Sequence, residues 1–462
     1  MTSFTIEDTL LTPPMPPMAN ADIDGLGVIR RLKHNAFEAF PERCWQESMV
    51  WLDTPIRPVV IAATPESIRQ VMLDNHPDYE RSLAGKRVWA PLAGNGLATS
   101  EGETWRSQRR TMAPAFTPQK IQTLTGLIVD SAERACIQLE RQRGQPANLL
   151  DFCESTIMDM AATVMFSSDV SKFGHELRRL LTLYMTRIGG ASASEALLPT
   201  WVPTLSTARR ALFRQSWRRM MERVIANRRA EHRATAGETA QAIGRRTDLF
   251  DLLDRAHAGG HDDLLRDEVS TMLAAGTQTT ALSVFWACVL LARSPHIQSD
   301  LAREAAAFHW NKSDSSGVDL TRFPLTKAVV METLRLYTPG FMTQRRAIRA
   351  NQVCGREVPT GATIIIPFWL LHRDPNRWAS AASFVPQRFV EGSQPERFDY
   401  LPFGVGPHIC IGAQLATAEI TILLARLLRD NRIEPIDRDI PVPVGRVATQ
   451  PSFTPRFSVT PR

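Results

Sequence analysis

Apolar side chains recur at three-to-four-residue spacing through most of this chain, and proline is absent from residues 120–143, 208–232 and 263–293. Residues at that spacing share one helix face, so the pattern predicts three long helices and a mainly α protein. Two short β-branched runs, at 58–63 (PVVIAA) and 363–368 (TIIIPF), predict strands of a small β region. Residues 234–246 are polar and break the helical pattern, which predicts an exposed loop. No repeat of fixed period divides the chain. Pro13, Pro14, Pro16 and Pro17 predict a flexible proline-rich arm over residues 1–20, because proline locks φ and removes amide donors. The longest uninterrupted apolar run, 284–292, falls short of the roughly 18 residues of a bilayer span. The amino end has neither the basic start nor the apolar core of a secretory leader. The expectation is a cytoplasmic protein without a transmembrane anchor.

Composition acts mainly by exclusion. Over 462 residues, 54 Lys+Arg against 48 Asp+Glu give a net charge of +6, too mild to require a nucleic-acid stripe. With 44% hydrophobic and 22% charged residues the chain sits in the ordinary globular range, which excludes disorder and a collagen-like repeat. Length alone leaves one domain or three open. Six cysteines, Cys44, Cys136, Cys153, Cys288, Cys354 and Cys410, form no CxxC and no close pair, so neither a disulfide framework nor a zinc ribbon is expected. Five read as small buried hydrophobes, and Cys410 stands apart.

Cys410 lies in Phe403-Gly404-Val405-Gly406-Pro407-His408-Ile409-Cys410-Ile411-Gly412, followed by a proline-free stretch, 413–429, with Leu415, Ala418, Ile422 and Ala425 on one face. The cysteine is thus expected just before a buried helix, whose terminus would lower its pKa towards the thiolate. Three chemistries compete for that thiolate. A zinc site needs about four ligands, with only His408 close in sequence. A nucleophile needs a base such as His76, His296 or His372. Axial ligation of haem iron needs one cysteine.

This loop resembles the haem-binding loop of the cytochrome P450 superfamily: Phe403, Gly406, His408, Cys410 and Gly412 fill its pattern. The resemblance implies that Cys410 ligates iron and that Phe403, Gly404 and Gly412 line the haem, here haem b. A second signature, Glu-x-x-Arg, also occurs at Glu66/Arg69, Glu103/Arg106, Glu140/Arg143 and Glu176/Arg179, and only Glu332/Arg335 has the family's context upstream of the cysteine loop. Residues three apart can pair, and Arg388, in Phe384-Val385-Pro386-Gln387-Arg388-Phe389, is similar to the arginine that joins them. Trp105 and Arg109 resemble the family's Trp-x-x-x-Arg helix facing a haem propionate. His408 and Arg345 complete the implied propionate cations, with Arg346 as the competing register.

Ala275-Gly276-Thr277-Gln278-Thr279-Thr280 resembles the oxygen-side helix of the family. Glycine and a hydroxyl in mid-helix both cost stability, which a binding groove explains. The resemblance implies that Gly276 makes room for dioxygen and that Thr279 positions proton delivery. Gln278 occupies the usual acid position, yet it cannot titrate.

The implied fold is a single triangular domain over 21–462, mainly α with a small β region, the haem lying between the long central helix and the helix after the cysteine loop. The implied activity is monooxygenation: hydroxylation or epoxidation of a hydrophobic small molecule by dioxygen. Electrons would come from NAD(P)H through a soluble bacterial-type ferredoxin or flavodoxin with its reductase, the chain ending soon after the helix that follows Cys410. Arg106 and Arg110 are candidate docking residues, and a monomer is expected. By family layout the pocket would be lined by Val88, Trp89, Leu92, Ala274, Ala275, Phe341, Met342 and Gln450. A peroxygenase or isomerase on the same frame, and a haem-binding sensor, remain as alternatives.

Overall fold

The computed structural model describes residues 10–20, 23–52, 54, 58–141, 143–166, 171–190, 204–235, 248–257, 262–308, 310, 318–390 and 395–462. Nine helices carry the argument: α1 (Leu83–Ala93), α2 (Gly102–Met112), α3 (Pro118–Glu140), α4 (Leu149–Phe166), α5 (Leu205–Thr235), α6 (Asp262–Leu291), α7 (Pro295–Ala306), α8 (Pro324–Leu336) and α9 (Ala413–Asp430). Caps and prolines fix several of their starts. Ser82 accepts the Gly85 amide at α1, Thr117 accepts the Lys120 amide at α3, and Pro118, Pro295 and Pro324 sit in first turns, where a missing N–H costs nothing.

Helix α6 is buried along almost its whole length and packs on α4, α8 and α9. A helix apolar all round must be enclosed on every side, so α6 becomes the axis of the largest core cluster, with α3 and α9 also inside it. Among the described residues it is the one helix long and apolar enough to cross a membrane, and 83% of that stretch is buried within the protein.

The β region is a five-stranded sheet of β1 (Met49–Leu52), β2 (Val59–Ala62), β3 (Tyr79–Arg81), β4 (Thr343–Ala347) and β5 (Thr363–Ile366), in the order β1-β2-β5-β4-β3. The two runs expected as strands are β2 and β5, which pair in parallel, Val60 opposite Ile364. Arg345 in β4 faces Ile364 and Arg81, which brings a strand from each half of the chain to one edge.

The arm expected to be flexible is bound over residues 10–20. The Phe384 amide donates to the Leu11 carbonyl at 2.8 Å, and the Ala19 amide to Phe40 at 2.9 Å. Backbone bonds to an ordered body replace the solvent that a free arm would need. Of the expected loop 234–246, α5 already includes 234 and 235, and the rest lies outside the described residues.

Candidate functional site

The cysteine loop is closed by its own backbone: the Cys410 amide donates to the Phe403 carbonyl and the Ile409 amide to Gly406, each at 3.0 Å. Gly406 has a φ of 77°. A Cβ there would stand 2.1 Å from the Met72 carbonyl oxygen, so only glycine fits. Cys410 opens onto a cavity of about 340 Å³. The expected lowering of its pKa is corrected by the structure. The Gly412 amide and the Arg109 charge do favour the thiolate, but burial outweighs them and raises the thiol. Among the described residues no group of three or more His, Cys, Asp or Glu could hold a metal, which removes the zinc alternative. His372 cannot serve Cys410 as a base either, because Thr338 and the Leu401 amide occupy its two nitrogens.

The same cavity is walled by Phe403, Gly404, His408 and Gly412 from the loop and by Ala275, Gly276 and Thr279 from α6. Tertiary packing thus brings together two segments more than a hundred residues apart. The Thr279 hydroxyl donates to the Ala275 carbonyl at 2.7 Å, the back-bond expected of a mid-helix threonine. Gln278 departs from its expected place. It is buried off the cavity wall, donating to the Glu154 carboxylate of α4 at 2.8 Å, because a residue next to Thr279 on a helix points about 100° away.

Of the expected pocket residues, Trp89, Ala275 and Met342 line the cavity. The other five belong elsewhere. Val88 accepts the Tyr184 hydroxyl at its carbonyl, and Leu92 accepts the Trp217 indole. Ala274 is fully buried in the core, Phe341 packs on Phe37 with ring centroids 4.8 Å apart, and Gln450 sits on a strand paired with Val444. The wall is completed by residues that sequence reading missed, among them Met72, Phe116, Met165, Met272, Thr280, Ser283 and Glu419. A thioether at Met165, whose methyl is 2.9 Å from a notional Cβ on Gly276, carries no sequence signal that separates it from plain core.

One end of the cavity is cationic. Among the described residues, buried Arg345 hydrogen-bonds only to Thr343 and the Gln344 carbonyl within its own strand, whereas Arg346, on the opposite face of β4, pairs with Glu80. Strand alternation therefore selects Arg345 as the cavity residue. Arg81, unmarked in the sequence, lies alongside, bonded to the Ser100 and Leu97 carbonyls and 3.5 Å from Glu101. Trp105 packs on the His408 ring at 4.1 Å, and the Arg109 guanidinium holds the Ile409 carbonyl at 2.9 Å. Both act on the loop, on the side of His408. The positive charge expected of His408 is what the structure corrects: burial first, then the charges of Arg81 and Arg345, push its pKa down to about 2, so it is a neutral hydrogen-bonding group here. Among the described residues its Nδ1 is buried without a partner.

Behind the loop, Glu332 and Arg335 pair through two bonds of 2.7 and 2.8 Å, both side chains fully buried. Arg335 also donates to the His372, Ala381 and Ser383 carbonyls, while Arg388 lies 3.2 Å from Glu332. The cluster ties α8 to the segment that leads into the cysteine loop.

This donor set fits an iron porphyrin. A thiol faces the cavity, Gly412 leaves open space where a Cβ would stand, and a buried arginine and an orphaned imidazole nitrogen await anions. Comparison with known proteins points the same way. The family profile described as Cytochrome P450 matches residues 26–453. The chain is 28% identical over 387 residues to cyclooctat-9-en-7-ol 5-monooxygenase of Streptomyces melanosporofaciens, covering 81% of this chain and 80% of that protein. It is 27% identical over 438 residues to Cytochrome P450 714C3 of Oryza sativa subsp. japonica, covering 89% and 83%. Cytochrome P450 4A12 of Rattus norvegicus is 28% identical over 398 residues, covering 80% and 77%.

Proposed function

Because the chain belongs to the cytochrome P450 family, and so is a haem b monooxygenase fed with NAD(P)H-derived electrons, we propose that it oxygenates a hydrophobic small molecule at a C–H or C=C bond. The observation that carries this reading is one cavity shared by Cys410, the Gly276–Thr279 stretch and an apolar wall of Trp89, Phe116, Met272 and Met342. One relative's name specifies an unsaturated alcohol, cyclooctat-9-en-7-ol, which is consistent with a largely hydrocarbon substrate. Terpenoids, fatty acyl compounds, steroids and aromatics share that chemistry.

Haem, when bound, would supply dioxygen activation, and Cys410 is the residue whose sulfur would hold its iron. Arg345, Arg109 and His408 would hold its carboxylates, and the Glu332–Arg335–Arg388 cluster fixes the loop beneath. Thr279, by exchanging its bond to Ala275 for one into the cavity, holds a proton where the reaction consumes it. The apolar wall orients the substrate and excludes water.

We read residues 21–462 as one haem-binding domain, monomeric and cytoplasmic, served by a ferredoxin or flavodoxin. Exposed Ile409 and the neighbouring Arg106 and Arg110 of α2 suit an acidic donor near Cys410.

Titrating the holoenzyme with limonene, lauric acid, progesterone and naphthalene tests the substrate class. At least one compound shifts the haem spectrum and yields an oxygenated product with NADPH, ferredoxin and reductase. Equal product from peroxide alone would favour a peroxygenase, and no shift with any of the four would sink the apolar-substrate reading.

A further inference from the structure

A buried arginine beside the Glu332–Arg335–Arg388 cluster carries a charge that its surroundings do not balance. Arg373 is 2% exposed, and of its guanidinium nitrogens only Nη2 is engaged, donating to the Leu336 carbonyl at 2.8 Å. Among the described residues, its Nε and Nη1 are buried without a partner. The central guanidinium carbon lies 5.7 Å from the centroid of the Tyr337 ring and 5.3 Å from that of Trp369. Aromatic faces attract a cation, but they supply no lone pair to its N–H groups.

Nor does a carboxylate supply the missing charge. Burial pushes the Arg373 guanidinium down to about 10, so it is still a cation at neutral pH. Among the described residues, the one acid whose field reaches it is Glu332, which already holds Arg335 and Arg388. Three guanidinium groups, those of Arg335, Arg388 and Arg373, therefore depend on a single carboxylate. The adjoining His372 ring is neutral, pushed down to about 3 by burial and by Arg335 and Arg373. Asp374, next in the chain, pairs with Arg377. A buried charge left in this condition is costly, and a counter-ion relieves it.

The Tyr337 hydroxyl marks where that ion would sit. It follows the last residue of α8, is buried without a partner among the described residues, and lies in the field of both Arg373 and Arg293. Arg293 donates through Nη2 to the Asp437, Arg438 and Asp439 carbonyls, and its Nη1 is also buried and unpaired among the described residues. The unsatisfied groups are thus guanidinium N–H donors on either side of a hydroxyl that can donate. A water could accept from them but would leave the charge in place, whereas an anion both accepts and neutralises. Trp286 stacks on Tyr337 at 4.0 Å and Trp369 flanks the guanidinium, so the space suits a monatomic ion rather than a phosphate or carboxylate. We propose that Arg373 and the Tyr337 hydroxyl bind a chloride ion, which pins the end of α8 to the segment leading into the cysteine loop. None of these residues lines the Cys410 cavity, and the inference does not rest on the monooxygenase reading.

Urea midpoints of the holoenzyme across a roughly hundred-fold range of sodium chloride, with ionic strength held constant by sodium gluconate, test the site. They should rise with the logarithm of chloride once the site begins to fill, as a ligand of the folded state alone requires. Crystals grown in sodium bromide should show a bromine anomalous peak in contact with the Arg373 guanidinium and the Tyr337 hydroxyl. Tyr337→Phe deletes one donor and should weaken the apparent chloride affinity on the order of ten-fold, the worth of a hydrogen bond to a charged group. Arg373→Met should remove the chloride dependence, and Arg349→Met, at an exposed arginine, should leave it unchanged. If Arg373→Met does not fold, Tyr337→Phe and the bromide crystals still decide. Equal midpoints in chloride and gluconate, no bromine peak at the site, a native chloride response in Tyr337→Phe, or an equal loss in Arg349→Met would overturn the assignment. No readout involves substrate or product, so the proposed activity stands or falls separately.

Discussion

The two ends of the cavity meet the cost of buried charge in opposite ways. At the sheet edge, Arg81 and Arg345 crowd together, and their field, added to burial, strips the proton from His408. At the α9 end Glu419 is isolated, and the same burial keeps its proton on. Desolvation always disfavours the charged form, so it turns a base and an acid alike neutral. The difference lies in the neighbours. Arginine cannot shed its proton in the physiological range, so the first end stays cationic and suits anionic cofactor groups. The second stays uncharged.

The largest effect that bears on this contrast is loss of the sulfur that lies between the two ends. Cys410→Ser should abolish the thiolate-type spectrum of the reduced carbonyl complex and drop oxygenation to background, and a retained thiolate spectrum would remove the basis of both ends. Next, Glu332→Gln should strand Arg335 and Arg388 against the loop and destabilise the protein by about 3–5 kcal/mol in urea unfolding. A loss as small as that of Glu103→Gln would show that the buried cluster is not what holds the loop.

Glu419→Gln should act in the other direction. The unfolded chain releases this proton near the ordinary 4.5, while the folded chain keeps it to about 8. Between those values the native state binds a proton that the unfolded state has lost. The stability tied to this proton is therefore complete below about 4.5 and is lost as pH rises to about 8. Glutamine removes that slope, so the variant should gain on the order of 3 kcal/mol over the native protein at pH 7 and little at pH 4. Urea midpoints at the two pH values check this, and a variant destabilised at both would break the comparison. The smallest expected effect is at the cationic end. Arg345→Met should weaken haem retention roughly ten-fold or more, as expected for a lost charge-assisted bond, with Arg346→Met near neutral. Haem transfer to apomyoglobin measures both, and equal effects would show that strand alternation did not select the cavity residue.

The cysteine loop, the mainly α character and the two short strands were legible because each rests on local chemistry: glycine-permitted φ values, helical spacing and β-branched runs. The Glu-x-x-Arg signature shows the boundary of that legibility. Glu103/Arg106 and Glu332/Arg335 have identical spacing, yet the first pair is 63% and 76% exposed by side chain, in the order Arg106 and Glu103, and the second is fully buried. Spacing says that two residues share a helix face, and only the packing of other elements decides whether that face meets water.

That limit accounts for the expectations that changed. Sequence alone determined that Cys410 sits in a glycine-cradled loop before a helix, and that a helix with Gly276 and Thr279 exists to meet it. Tertiary structure decided that Gln278 turns to Glu154, that Phe341 and Gln450 leave the cavity to Met165 and Met272, that Arg81 joins Arg345, and that His408 and Glu419 are neutral. Helical spacing is a property of neighbours along the chain. Which side chain reaches a shared cavity, and which proton it keeps, depends on elements hundreds of residues away that remove water from around it.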